Sequence, residues 1–255
     1  WLRERAAKHG AIRRNGKFER VGADSDGTST ISYIDGDSGE RHTVRARSII
    51  GADGARSAVA QQTIPDAEKT KYVFAYHEIV KAPDVKPADY DGTRCDVFYQ
   101  GHLSPDFYGW VFPHGDRVSI GVGSAVRGFS LRHAVTALRG ITGLDETATV
   151  RREGAPIPLK PLGRWDNGRD VVLAGDAAAT RDPLSGQGVC KALESGLAAA
   201  AAIDGALEGD RNPLSHYSSK LKSAHDRYLR TRTDFYRAER RWPDSPFWQR
   251  RQRSN

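Results

Sequence analysis

The sequence contains no methionine and only two cysteines, Cys95 and Cys190, among 255 residues. Two cysteines exclude a disulfide framework, and without a C-x-x-C pair there is no thiolate set for a structural zinc site. Both are expected to be unpaired thiols in a reducing compartment. Long apolar runs are missing as well. The longest, Leu197 to Ile203, is far short of the roughly 18–20 residues that a membrane-spanning helix needs. Several catalytic loops are also absent. Gly10 and Gly16-Lys17 are separated by one residue too many for a phosphate-binding loop, and Phe18 stands where the magnesium-binding hydroxyl would be. There is no H-E-x-x-H, no G-x-S-x-G, and no third glycine correctly spaced from Gly121-Val122-Gly123 to complete G-x-G-x-x-G. Hydrolase and P-loop chemistries are thereby set aside. The chain opens at Trp1 without a charged-then-apolar leader, so it is expected to be a portion of a longer protein rather than a nascent start or a signal peptide.

What is present reads as a soluble globular chain: 38% hydrophobic and 28% charged residues, with a formal net charge of +7. Its length allows one large domain or two small ones. Residues 1–9 read as an amphipathic helix stopped at Gly10. Alternating runs between residues 18 and 50, punctuated by Asp26-Gly27 and by Asp35 to Gly39, predict β-hairpins, the second run extending from Thr43-Val44 to Ile49-Ile50. Further strands are expected over 71–80, 94–100, 107–113 and 117–123, and a loop over 83–92. A helix is expected over Leu131 to Gly140, closed by that glycine. Val171 to Ala174 is a short continuous apolar run of the fully buried strand type. A helix from Val189 to about Leu207 follows, with Val189, Leu193, Leu197 and Ile203 expected on its buried side.

Two local patterns carry chemistry. In the first, the buried strand Val171–Ala174 delivers Gly175-Asp176-Ala177-Ala178. A turn through Asp182-Pro183-Leu184-Ser185 then leads to Gly186-Gln187-Gly188 at the start of a helix. A carboxylate at the end of a parallel strand accepts hydrogen bonds from a ribityl or ribose chain, and glycines let backbone N–H groups approach a ligand. The positive end of the helix favours an anion such as the N1–C2=O edge of a reduced flavin. A plain strand-turn-helix with a capping Asp presents the same pattern. In the second, Ile49-Ile50-Gly51-Ala52-Asp53-Gly54-Ala55-Arg56-Ser57, an apolar strand again ends in a glycine-framed carboxylate. Here Arg56 is placed to pair with a pyrophosphate; an Asp-Gly turn with a surface arginine is the plainer alternative.

The pair GADGARS (51–57) and GDAA (175–178) resembles the flavin-contact motifs of the class A flavoprotein monooxygenase superfamily. The text between them is more specific. YVFAYHE (72–78), RCDV (94–97), SPDFYGWVFPHG (104–115), RREGAPIP (151–158) and RWDNGRDVVLAGD (164–176) resemble the geranylgeranyl reductases of chlorophyll and bacteriochlorophyll synthesis, over about residues 1–178. From Arg181 onward, KALESG (191–196) and ERRWPD (239–244) are more similar to flavin-dependent dehydrogenases related to tryptophan halogenases. The resemblance implies an α/β architecture: a partial class A flavoprotein monooxygenase-like fold with a mixed β-sheet substrate region, an FAD-facing strand-turn-helix and C-terminal helices, the superfamily's N-terminal GxGxxG unit being absent. It divides the chain into a remainder of the FAD-binding region (1–60), a substrate-binding sheet region (61–165), the FAD-facing strand-turn-helix (166–210) and a basic helical tail (211–255).

The activity implied is reduction of isoprenoid double bonds, geranylgeranyl to phytyl, by FAD and NADPH. Asp53, Gly54, Arg56, Gly175, Asp176, Pro183, Gly186, Gln187 and Gly188 would then bind cofactor. Tyr108, Trp110, Phe112 and Pro113 would form an apolar wall for the prenyl chain, although an aromatic strand is equally at home in an ordinary core. No catalytic residue is nominated, and His77, Tyr108 and His114 are read as structural. The partner implied is a prenylated small molecule, in a cytoplasmic setting with peripheral membrane contact and no nucleic acid. Two other readings stay open: a different flavin chemistry of the halogenase-related kind, or an inactive portion lacking the FAD pyrophosphate site.

The tail is compositionally distinct. Residues 225–255 hold nine arginines against four acidic residues, interleaved with Tyr228, Phe235, Tyr236, Trp242, Phe247 and Trp248. Such a segment suits either an anionic surface or a terminal helix whose aromatics dock inward while its arginines face water.

Overall fold

The computed structural model describes all residues except 86, 160, 161, 179–185, 211, 254 and 255. The chain forms two compact units. The first comprises Trp1–Thr70, Pro161–Thr180 and Gly186–Leu221, and the second Lys71–Lys160, Arg181–Ser185 and Lys222–Asn255.

The first unit starts with helix α1 (Leu2–Lys8), ended by Gly10 at φ +90°, as its sequence predicts. A three-stranded antiparallel meander follows, β1 (Gly16–Ala23), β2 (Ser29–Asp35) and β3 (Arg41–Ala46). The expected single run from Thr43 to Ile50 is broken at Arg47-Ser48. β3 is almost wholly exposed, whereas β4 (Ile49–Gly51) buries Ile49 and Gly51 and leaves the meander. It pairs in parallel with β10 (Val171–Leu173), in the register Val171↔Ile49, Val172↔Ile50 and Leu173↔Gly51. Ile49 thus finds a buried position beside β10 that the polar, charged β3 cannot fill, while Ile50 stays exposed. Helix α2 (Ala58–Thr63) is capped by Ser57, whose Oγ accepts from Ala60 N at 2.8 Å. Gln62 ties α2 to β1, accepting from Val21 N and donating to the Glu19 carbonyl.

Helix α4 (Gly188–Leu207) corrects the sequence reading. Val189 and Leu197 are 77% and 75% exposed and Leu193 is exposed too; the buried positions are Ser195, Ala199 and Ala202, with Ile203 partly buried against the core. The reason is close packing: small side chains let the helix lie directly on the strand end. Helix α5 (Pro213–Ala238) begins in this unit. Its Tyr217 is buried in the core, and the hydroxyl donates to the Leu173 carbonyl.

The second unit is built on a five-stranded antiparallel sheet in the order β6-β7-β8-β5-β9. Its strands are β5 (Tyr72–Lys81), β6 (Asp96–Phe98), β7 (Gly109–His114), β8 (Arg117–Ser124) and β9 (Thr149–Pro158). The turn at His114-Gly115-Asp116 falls as expected, with Gly115 at φ +68°. β6 is shorter than the predicted 94–100, and β9 was not expected as a strand. Its charged RREG start and its two prolines mimic a loop, and as an edge strand it tolerates both.

One face of the sheet packs Val80, Val111, Val118, Ile120 and Val122 against helix α3 (Leu131–Ile141). The glycine in left-handed backbone beyond α3 is Gly143, not Gly140, which lies inside the helix. On the other face, aromatic rings lie on glycines. A Cβ at Gly121 would collide with the Trp110 ring and come within 2.6 Å of His77 Cβ, and one at Gly123 would meet Phe107. Helix α6 (Pro246–Arg253) closes the chain, with Phe247 buried and Arg251 donating to the Asp106 carbonyl at 2.7 Å.

A buried ion pair fastens α3 to the sheet. Arg139 donates to Glu78 at 2.7 Å and to the carbonyl of Leu144 at 3.0 Å, while Tyr76 and Thr149 also donate to the Glu78 carboxylate. Burial alone would raise the Glu78 pKa, but the hydrogen bonds from Tyr76, Thr149 and Arg139 outweigh it and hold it below the usual carboxylate value.

Two outcomes are expected. Glu78→Gln leaves Arg139 buried and uncompensated and should cost about 3–5 kcal/mol in urea denaturation at pH 7. The wild-type contribution is complete above the unfolded pKa of about 4.3 and is lost as pH falls through the lower folded value. The stability gap between wild type and variant should therefore narrow in acid, and a gap constant from pH 7 to pH 3 would contradict this account. Gly121→Ala should displace Trp110 from the sheet, costing about 1–3 kcal/mol and altering the near-ultraviolet circular dichroism.

Candidate functional site

In the first unit the parallel pairing of β4 with β10 brings the two strand-end patterns together. Both strands run the same way and are in register to their last residues, Gly51 and Leu173. The turns that follow, through Asp53-Gly54 and through Gly175-Asp176, therefore leave the same carboxyl edge. That edge is where open parallel sheets bind ligands.

Each turn has its own support. Gly51 is buried with no room for a side chain: a Cβ would fall 2.8 Å from Leu173 and 2.9 Å from Val59. Gly54 has φ +85° and opens onto free space. The Asp53 carboxylate accepts from Ser57 Oγ at 2.5 Å and from Val59 N at 3.1 Å. It therefore stiffens the approach to α2. Asp53 and Arg56 are both exposed.

Gly175 is buried at φ +62°, and a Cβ there would touch Ala192 of α4 at 3.4 Å. Its N–H donates to Ser195 Oγ at 2.9 Å, and that hydroxyl donates to the Lys191 carbonyl at 2.7 Å. Ser195 was not singled out from sequence; a serine amid alanines at the GD-turn face of the helix is the signal that marks it. Asp176 is half-buried beside this lock. The turn is anchored again by Trp165, whose indole N–H donates to the Ala178 carbonyl at 2.7 Å.

Gly186, at φ +62°, and Gln187 are exposed, and Gln187 is the N-cap of α4 without providing a side-chain cap. Among the described residues, the first turn of α4 contains no acidic residue, which suits an anion at the positive end of the helix. Pro183 lies outside the described residues. Positive-φ glycines, a strand-end carboxylate that accepts and a helix start that donates form a polar set that fits a hydroxyl-rich anionic ligand such as FAD.

The candidate substrate residues belong to the second unit. Tyr108, Trp110 and Phe112 form a ladder with ring centroids 6.1 Å and 6.3 Å apart. Pro113 is on the opposite side by strand alternation, in phase with the core residue Val111. His77 shares the aromatic face. Its Nδ1 is 3.0 Å from Ser119 Oγ, its Nε2 is 3.1 Å from Glu153, and the Trp110 indole N–H donates to Ser119 at 3.3 Å. This network orients Trp110. Both free thiols are exposed. Among the described residues, no helix is long and apolar enough to cross a membrane.

Comparison with known proteins concerns the chain's family and fold. A family model described as FAD binding domain matches residues 1–232. Geranylgeranyl diphosphate reductase of Rhodobacter capsulatus is 52% identical over 202 residues, covering 79% of this chain and 51% of that protein. The chloroplastic geranylgeranyl diphosphate reductase of Arabidopsis thaliana is 36% identical, covering 83% of this chain and 46% of that one. The chain thus spans about half the length of these relatives.

Among solved structures, a geranylgeranyl bacteriochlorophyll reductase-like protein from Thermoplasma acidophilum superposes with a TM-score of 0.70 at 23% identity, covering 91% of this chain and 57% of that one. The flavin-dependent halogenase CmlS superposes with a TM-score of 0.73 at 22% identity, covering 100% and 48%. Both likenesses concern the fold, and they agree with the class A flavoprotein architecture expected from sequence. Fold, matched domain and sequence identity converge: the chain belongs to the FAD binding domain family, on its geranylgeranyl reductase branch.

Proposed function

We propose that this chain is the flavin-facing and substrate-side part of an FAD-dependent reductase that saturates isolated double bonds of a geranylgeranyl group toward phytyl, with NADPH as the electron source. The observation that carries the reading is the shared carboxyl edge of the β4 and β10 turns, with the start of α4 following in the same unit. FAD, when bound, supplies the hydride chemistry. The residues of the chain bind and orient it. Asp176 accepts hydrogen bonds from ribityl hydroxyls, the Gly186–Gly188 helix start faces the anionic edge of the ring, and Arg56 pairs with phosphate. Asp53 and Gly54 form the adjoining cofactor surface, and Ser195 keeps the Gly175 turn from relaxing.

Tyr108, Trp110 and Phe112 provide an apolar wall that orders a prenyl chain and excludes water from it. The substrate class follows the names of the relatives, both geranylgeranyl diphosphate reductases. A cytoplasmic enzyme in peripheral contact with a membrane suits a substrate that partitions into lipid.

Visible-absorption titration with FAD, followed by anaerobic NADPH, tests the reading. Saturable binding with bleaching of the flavin is expected, and product analysis should show a gain of two hydrogens per double bond; oxygen incorporation would overturn the assignment. Asp176→Ala should weaken FAD binding about 10–100-fold, the worth of a hydrogen bond to a charged group. Unchanged affinity would remove Asp176 from the ribityl role. Ser195→Ala should also weaken FAD binding, with a smaller loss, because it frees the turn without deleting a contact.

A further inference from the structure

A transverse row of the second unit's sheet joins the aromatic ladder to a titratable pair. Strand pairing sets Trp110, Gly121, His77 and Glu153 side by side across β7, β8, β5 and β9. Gly121 has no side chain, so the Trp110 and His77 rings meet over it, with centroids 6.2 Å apart. The next row holds Phe112, Ser119, Ile79 and Arg151, and on the other side Ala75 faces Ala155. Support of Trp110 explains Ser119, which accepts the indole N–H. It does not call for an imidazole with a carboxylate behind it.

The hydrogen bonds distinguish the parts. One lone pair of Ser119 Oγ takes the Trp110 N–H, and the oxygen also lies 3.0 Å from His77 Nδ1, so an N–H there would complete its acceptor capacity. Nε2, 3.1 Å from Glu153, is then the nitrogen that gains and loses a proton. Glu153 is the counter-ion and not the acid. The hydrogen bond from Arg151 outweighs burial and, with the charges of Arg151 and His77, holds its carboxyl below the usual range. His77 keeps 26% of its side chain open on the face that carries Trp110. The remaining charged or titratable groups in line with it, Lys81, His114 and Arg117, stand at the β7–β8 hairpin end of the strands.

Saturating a double bond consumes a proton as well as a hydride. A trisubstituted alkene takes its proton at the less substituted carbon, and positive charge then develops at the tertiary carbon. That step needs a positioned acid, and the π faces of Trp110 and Phe112 favour the developing charge.

We infer that His77 is this acid, on the proposed reading of the chain as a prenyl reductase. The ring keeps its fixed proton on Nδ1 against Ser119 and delivers the other from Nε2. The Nε2–H bond breaks, the alkene π pair becomes the new C–H bond, and the tertiary carbon takes the hydride from the reduced flavin. His77 is left neutral, and a solvent proton reloads Nε2 beside Glu153. Ser119 and Glu153 are positioning residues: the first fixes the ring, and the second stabilises the imidazolium.

One measurement uses the full chain without flavin. In nuclear magnetic resonance with isotope-labelled histidine, His77→Gln identifies the His77 signals. The neutral ring should be the Nδ1–H tautomer, and geranylgeraniol should shift its resonances. An Nε2–H tautomer, or resonances unmoved by geranylgeraniol, would overturn the assignment.

The second measurement follows single turnovers with FAD, NADPH and geranylgeranyl diphosphate. His77→Gln should slow saturation by ~100-fold or more, while FAD affinity, bleaching by NADPH and thermal unfolding stay unchanged. His77→Ala should regain activity with added imidazole, in proportion to its protonated form, a response that a packing role does not give. Ser119→Ala should lower kcat with little change in KM and move the pH profile. Wild-type turnover in His77→Gln, or no imidazole rescue in His77→Ala, would reduce His77 to a packing residue. A wild-type chain that neither binds nor bleaches FAD would remove the flavin reading, and the placement of His77 would then stand or fall by its tautomer and its contact with geranylgeraniol.

Discussion

The parallel pairing of Ile49–Gly51 with Val171–Leu173 is the constraint on which the first unit depends. The strands come from sequence positions more than a hundred residues apart, and each is only three residues long. Three ladder rungs are a small interaction, so the pair is held from its flanks. Val59 and Ile64 of the α2 region, Trp165, and Ala199, Ala202 and Tyr217 of the following helices all join the same core. The absence of a side chain at Gly51 is part of this arrangement, because Leu173 and Val59 occupy the space. If the pair slipped by one residue, every alternation would invert and the two turns would no longer share an edge.

In the second unit glycine plays a comparable role on a larger sheet. Gly121 and Gly123 make a strip of β8 without side chains, and the rings of Trp110 and Phe107 lie in it. The aromatic face is thereby flat and ordered rather than a hedge of independently moving rings. The Ser119–His77–Glu153 network then fixes the edge of Trp110 by a polar contact. The opposite face is fastened by the Arg139–Glu78 pair, so both surfaces of the sheet are held by specific polar anchors over an apolar interior.

Much of this was legible in the sequence. The strand-end acids, the β7–β8 hairpin and α3 follow from periodicity and turn residues, and the motifs at 51–57 and 104–115 led to the correct family. What was not legible depended on long-range packing. The break between β3 and β4 is invisible locally because Thr43 to Ile50 reads as one alternating run, and only the distant β10 supplies a reason to leave the meander. β9 hides behind its prolines and charges, which are acceptable only because it is an edge strand. The buried side of α4 was inverted because apolarity predicted burial of Val189, Leu193 and Leu197, whereas closeness of approach selected serine and alanine. The locking role of Ser195 was hidden for the same reason, since its partner is the N–H of Gly175.

The two cysteines fall one to each unit: Cys190 in the first turn of α4 and Cys95 just before β6, both exposed and free. Each unit therefore carries a single addressable thiol at a rigid landmark. A spin label or fluorophore pair attached to the unmodified chain would report one inter-unit distance and its distribution. Because Cys190 lies at the candidate cofactor site, its rate of alkylation gives a second signal, protection on cofactor arrival, from the same molecule and without an engineered residue.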